Sequence, residues 1–416
     1  MQRHRNLTSA VIVALMMAAP LHGVDIRDFA AAPHLYWQRP PQDRFTQLYK
    51  KIHGGAVKLD AASANAYLAS LLRALEIPVS SQLLVFSVTS LQSSLISPAN
   101  PRALYFNEDT YVGYVPGGRI EIASFDPQLG GIFYIFDVPQ GSQAPAADRS
   151  QRCFNCHAGS FSHHVPALFV ESVIPGDNGG PLDAYRRDSS GHGVPFAERL
   201  GGWHVTGAPQ SWPHHGNTLG NYFQGQLTTR PNLPGAQFDL KKYLVPTSDI
   251  LPHLLHEHQV GFTNRVVEAV YQTRARLDAS QNKLSPADVT ALDELASGLV
   301  RYVFFADEAP LPAPVKGDTD FMKAFLQNRK AAPGGASLRD FDLRDRLFKN
   351  RCSYMIDSSL WDGMPALLKQ SVYVKMWGAL QDDSHDPVSA HLPAPERRAI
   401  RQIIKETKPG LPGWWK

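Results

Sequence analysis

Cysteine is nearly absent. Three in 416 residues, Cys153, Cys156 and Cys352, are too few for a disulfide framework, so a large apolar core must hold the fold instead. An excess of charge of one sign is lacking too. The chain carries 41 Lys and Arg against 38 Asp and Glu, a formal +3, with no basic stripe of the kind nucleic acid needs, and no nucleic-acid partner is expected. No apolar run reaches the ~20 residues of a membrane-spanning helix, so the mature chain is expected to hold no stable span. There is no internal repeat.

What is present begins at the N-terminus. Arg3 and Arg5 precede an acid-free apolar run from Ala10 to Ala19, followed by Pro20 and the small residue Gly23 before acids begin at Asp25. This is the pattern of an export signal over residues 1–23, cleaved near Gly23, which predicts a periplasmic protein. An uncleaved anchor is the alternative.

The rest reads as α+β, strand-rich early and helical late. Residues 24–246 form the expected strand-rich region and 247–416 a helical region packing on it. Asp60 is a candidate N-cap for a helix over Ala61 to Leu75. Strands are expected at Leu83 to Val88, Tyr111 to Val115, Arg119 to Phe125 and Gly131 to Val138, with a hairpin turn at Pro116-Gly117-Gly118. Further strands are expected at Ala167 to Val173 and Gly202 to Thr206, separated by a loop from Pro175 to Val194. Ser285, Pro286 and Asp288 mark the start of a helix to about Phe305. Ala309 to Val315 is a proline-rich connector, and helices are expected at Leu338 to Lys349, Pro365 to Leu380 and Pro395 to Thr407.

Two of the three cysteines fall inside five residues, Cys153-Phe154-Asn155-Cys156-His157. In C-x-x-C-H the two thiols can add to the vinyl groups of a haem while the histidine coordinates its iron. On a helical turn i, i+3 and i+4 point to one side, so all three can grip one porphyrin face. The motif predicts one covalent haem c with His157 as iron ligand. Half of a zinc site or a simple C-x-x-C disulfide are the alternatives; zinc would need a second ligand pair, and a thioredoxin-like pair a βαβ context. A single motif weakens the reading as a dihaem peroxidase. A sheet preceding it fits poorly with a small soluble cytochrome.

The stretches ISPANPRALYFNEDTYVGYVPGG (Ile96 to Gly118), CFNCH, GGWHVTG (Gly201 to Gly207), HHGN (His214 to Asn217), EHQ (Glu257 to Gln259), RCSYMIDS (Arg351 to Ser358) and ETKPGLP (Glu406 to Pro412) together resemble a family of exported bacterial proteins with a single C-x-x-C-H, described only as cytochrome c domain-containing. The likeness spans nearly all of the mature chain. It implies haem binding and electron transfer, and its recurring histidines correspond to His214 and His258.

The sixth iron ligand has several candidates. From Pro252 to about Arg276 the pattern is helical, and Leu251, Leu255, Phe262, Val266 and Ala269 fall on one stripe that includes His258. His256 points some 160° away by the same geometry. His258 is thus the expected ligand, with Arg265 near the same face for a propionate and His214 next in line; a hydrogen-bonded core histidine is the alternative. His163, His164, His192 and His204 are weaker candidates. Met355 and Met364 are expected in the core or, less simply, on the iron. Arg102 and Arg119 are further propionate candidates, and Trp203, Trp212 and Tyr222 could line a pocket with His214. Cys352 is expected to be a buried free thiol beside Tyr354 and Met355. Three functions stay open: an electron-transfer cytochrome serving a periplasmic redox partner and made by the cytochrome c maturation machinery; a haem enzyme acting on peroxide, nitrogen oxides or an organic substrate; or a haem-based gas sensor.

Overall fold

The computed structural model describes residues 28–139, 144–186 and 190–415; the expected export signal lies outside them. Two helices come first, α1 (Arg44–His53) and α2 (Ala64–Ala74). Each is opened by a side chain that accepts a first-turn N–H, Asp43 from Thr46 and Ser63 from Ala66. The cap expected at Asp60 is displaced: its carboxylate accepts from Ala62 in a local turn, and the helix begins at Ala64 rather than Ala61.

A meander follows, β1 (Leu83–Val85), β2 (Arg102–Phe106), β3 (Thr110–Tyr114), β4 (Ile120–Asp126), β5 (Gly130–Phe136) and β6 (Asp148–Arg149). After it come a short helix α3 (Phe154–His157), a small hairpin of β7 (Ser172–Pro175) and β8 (Pro181–Arg186), then β9 (Trp203–His204) and an outlying hairpin of β10 (Thr218–Phe223) and β11 (Gln226–Pro231). β9 returns to pair with β1, so the main sheet is antiparallel with order β6-β5-β4-β3-β2-β1-β9. The strand expected from Ala167 pairs only from Ser172 onward. Its first residues are engaged elsewhere: Ala167 exchanges hydrogen bonds with His157, and Leu168 with the Asn264 side chain.

The C-terminal half is helical: α4 (Ile250–Ala279), α5 (Pro286–Val303), α6 (Thr319–Gln327), α7 (Ser359–Asp362), α8 (Ala366–Ala379) and α9 (Ala394–Thr407). Ser285 and Asp288 form the capping box that the sequence signals. Leu338 to Lys349 is not a helix. The Asp340 and Asp342 carboxylates accept nearby N–H groups at Ser337, Arg344 and Asp345, and Leu343 sits at φ 60°, so the segment folds into successive turns. Among the described residues no helix is long and apolar enough to cross a membrane.

Alternation along the strands separates two cores. One sheet face, with Tyr105, Val112, Ile122 and Tyr134, packs on Phe45 of α1 and Leu68 and Leu71 of α2. The other, with Leu83, Phe106, Tyr111 and Phe125, packs on α4 and beyond it on Val300, Leu368 and Ile400. That second core crosses residue 246 without a break, so strand-rich and helical halves share one interior. α4 lies at its centre and is buried on nearly every side.

Candidate functional site

Cys153 caps α3, and its carbonyl accepts from the N–H groups of Cys156 (3.2 Å) and His157 (3.0 Å). The motif therefore makes the single helical turn its spacing predicts. Phe154 anchors that turn among aromatic rings: it stacks on Phe29 at 5.1 Å and meets Tyr36, Trp37 and Phe133 at other angles. His157 lies flat on Phe133, with ring centroids 4.4 Å apart, and its Nδ1 donates to the Ala167 carbonyl at 3.0 Å. A carbonyl only accepts, so Nδ1 carries the proton and Nε2 holds a lone pair. Burial pushes the imidazole pKa down to about 4, which keeps it neutral. This is the tautomer, fixed by a backbone acceptor, that a metal-ligating histidine needs.

Cys153 is half-buried, Cys156 is exposed, and neither is in a disulfide. Burial pushes both thiols above their ordinary range. A redox-active dithiol needs the opposite shift, toward thiolate. Among the described residues no three His, Cys, Asp or Glu side chains converge as a metal ion would require, so a four-ligand zinc site finds no partners for this pair.

The sheet beside His157 is shaped for something flat. Gly113 faces the Arg102–Glu121 ion pair (2.8 Å), and a Cβ there would come within 3.3 Å of Glu121 Oε2. Ala123, half-buried, is its small neighbour on the same face of β4. Ser90 Oγ donates to Glu121 at 2.9 Å, and Arg102 Nε is buried with no acceptor. Arg102 and Glu121 are close enough to act on the charge of His157. Next to them a cleft of about 320 Å³ is lined by Gln92, Arg119, Ile135, Asp137 and Arg152. A planar group with anionic edge substituents fits this set: two thiols, an aligned imidazole, the small Ala123 beside it, and guanidinium groups at the rim.

His258, the expected ligand, stands in the arrangement given as its alternative, a hydrogen-bonded core histidine. It is fully buried, its Nδ1 shares one proton with His192 Nδ1 at 2.8 Å, and its Nε2 is hydrogen-bonded to Ser353 Oγ at 2.8 Å. It stacks with Phe305 at 4.6 Å and Tyr302 at 5.6 Å, in the core between α4 and α5. Burial holds its pKa near 3, and that of His192 well below the ordinary value. Arg265 belongs to the same region, lying over the Tyr302 ring and donating to Ser190 and Gly261 carbonyls. His214 is half-buried and accepts the Gly216 N–H at Nδ1, so in its neutral form the proton is on Nε2, the wrong tautomer for ligation through that atom. His163 pairs with Glu268, His204 is wedged between Phe86 and Phe238, and Met355 and Met364 are core residues. Trp203 and Trp212 are buried, whereas Tyr222 is exposed on the outlying hairpin. Cys352 is a buried free thiol.

Phe133, Ala167 and Asn264 complete the site without any signature in the sequence. Asn264 of α4 accepts from Leu168 N–H (2.9 Å) and donates to Leu168 O (2.8 Å), clamping the strap that carries the Ala167 carbonyl. No family model, curated protein or solved structure matches the chain.

Proposed function

We propose that this chain is an exported c-type cytochrome that holds one haem through Cys153, Cys156 and His157 and passes single electrons to or from a periplasmic redox partner. The observation that carries the reading is the His157 imidazole, locked by the Ala167 carbonyl with its Nε2 lone pair available beside two unpaired thiols. The haem would supply a one-electron iron couple. The chain's own residues attach it, orient His157, and offer Arg102, Arg119 and Arg152 to its acidic groups. Cys156 is exposed, so the attachment point opens to solvent where a partner can reach it.

Co-expression with the cytochrome c maturation machinery provides the test. The purified protein should keep its colour through denaturing electrophoresis and acid-acetone extraction, and only Cys352 should remain as a thiol, reactive after unfolding. His157→Ala should abolish maturation, and Cys153→Ser or Cys156→Ser should leave one thioether and a shifted pyridine haemochrome. Extraction of free haem, or a Cys352 bridge to either motif cysteine, would overturn the proposal.

A further inference from the structure

Strand register places Phe106, Tyr111, Ala123 and Phe133 in one row across the sheet, each opposite the next. His157 lies flat on Phe133 at one end of that row. At the other end His256 of α4 meets Tyr111 (5.8 Å) and Phe106 (5.4 Å) edge to face, with Trp203 behind it at 5.9 Å. Between the two imidazoles the row contributes only Ala123, and the next row contributes Gly113. Phe133 and Tyr111 stand two strand spacings apart, about 9–10 Å. The two imidazoles thus stand over positions two strands apart, one on each side of Ala123.

α4 crosses the sheet in the orientation this needs. Tyr111 donates to Gln259 Oε1 at 3.5 Å, and Val267 packs against Gly130 at the start of β5. His256, Gln259 and Val267 follow one another at intervals of three and eight residues, so they share the sheet-facing side of the helix. His258 is two residues on, about 200° around, on the side that faces α5. His256 is also deeply buried, at 4% exposure, so a bond to iron there would be closed to solvent.

We infer that His256, on the far side of Ala123 from His157, is the sixth iron ligand of the haem. The assignment rests on the haem reading above, and covalent attachment is scored separately. The native ferric protein should be low-spin with two nitrogen ligands, and its ferrous form should refuse carbon monoxide. His256→Ala should turn the ferric haem high-spin and let the ferrous form bind one carbon monoxide per haem, with added imidazole restoring the low-spin spectrum. His256→Met, which keeps a ligand of similar reach, should stay low-spin and shift the reduction potential upward. His258→Gln should leave the native spectrum unchanged. The inference is overturned if the native haem is already high-spin, or if His256→Ala keeps the native low-spin spectrum; loss of that spectrum in His258→Gln or His214→Ala would then name the ligand instead. If acid-acetone strips the haem, the haem proposal itself has failed.

Discussion

Replacing Asn264 with alanine removes both hydrogen bonds that hold Leu168 to α4, at 2.9 and 2.8 Å. Each is worth about 1 kcal/mol net, and the stranded, part-buried Leu168 N–H and C=O add some desolvation cost, giving about 2–4 kcal/mol in all. The loss should be local, because the strap from Val165 to Val170 carries the Ala167 carbonyl and is otherwise held by few backbone bonds. At 1.4 kcal/mol per tenfold, amide exchange of that peptide should accelerate roughly 30- to 700-fold, with little change in the β3–β4 peptides. Asn264→Asp keeps the acceptor for Leu168 N–H and loses only the donor, so it should fall between wild type and alanine. Hydrogen exchange read by mass spectrometry measures all three. Native protection of the strap in Asn264→Ala would refute the clamp, and with it the idea that α4 sets the orientation of His157.

Acid should unfold the protein steeply. His34, His204, His253 and His258 are buried and neutral, with pKa values pushed by burial to about 4, 4, 3 and 3, so below the unfolded value of 6.5 the unfolded chain binds protons the folded chain does not. Their stabilisation is complete above pH 6.5 and is lost as pH falls toward 4, at up to roughly 5 kcal/mol per pH unit for the four together; a thermal midpoint that stays flat from pH 7 to pH 5 would contradict this. Gly261→Ala should destabilise by about 1–3 kcal/mol, because a Cβ there meets the Tyr302 hydroxyl and lies 2.6 Å from Gly191 Cα, which is backbone and cannot swing aside; an unchanged denaturant midpoint would sink that reading.

The sequence alone determined the parts that rest on local rules. The turn of Cys153, Cys156 and His157 follows from spacing; the Ser285 box from capping chemistry; the meander from alternation and a Pro-Gly-Gly turn. Helical periodicity was also right that Pro252 to Arg276 is helical. It could not say which side of that helix meets the motif. A hydrophobic stripe marks the inner face only when the opposite face is wet, and the first half of α4, Ile250 to Thr263, is buried all round, with His253, His256, Glu257, His258 and Gln259 all interior. Which of these polar residues faces the sheet and which faces α5 was decided by docking, through contacts such as Tyr111 on Gln259 and Tyr302 on the His258 carbonyl. The same holds for Ala167 and Asn264. A backbone carbonyl and a lone asparagine carry no pattern, and they matter only because the chain brings residue 157 beside 167 and 168 beside 264.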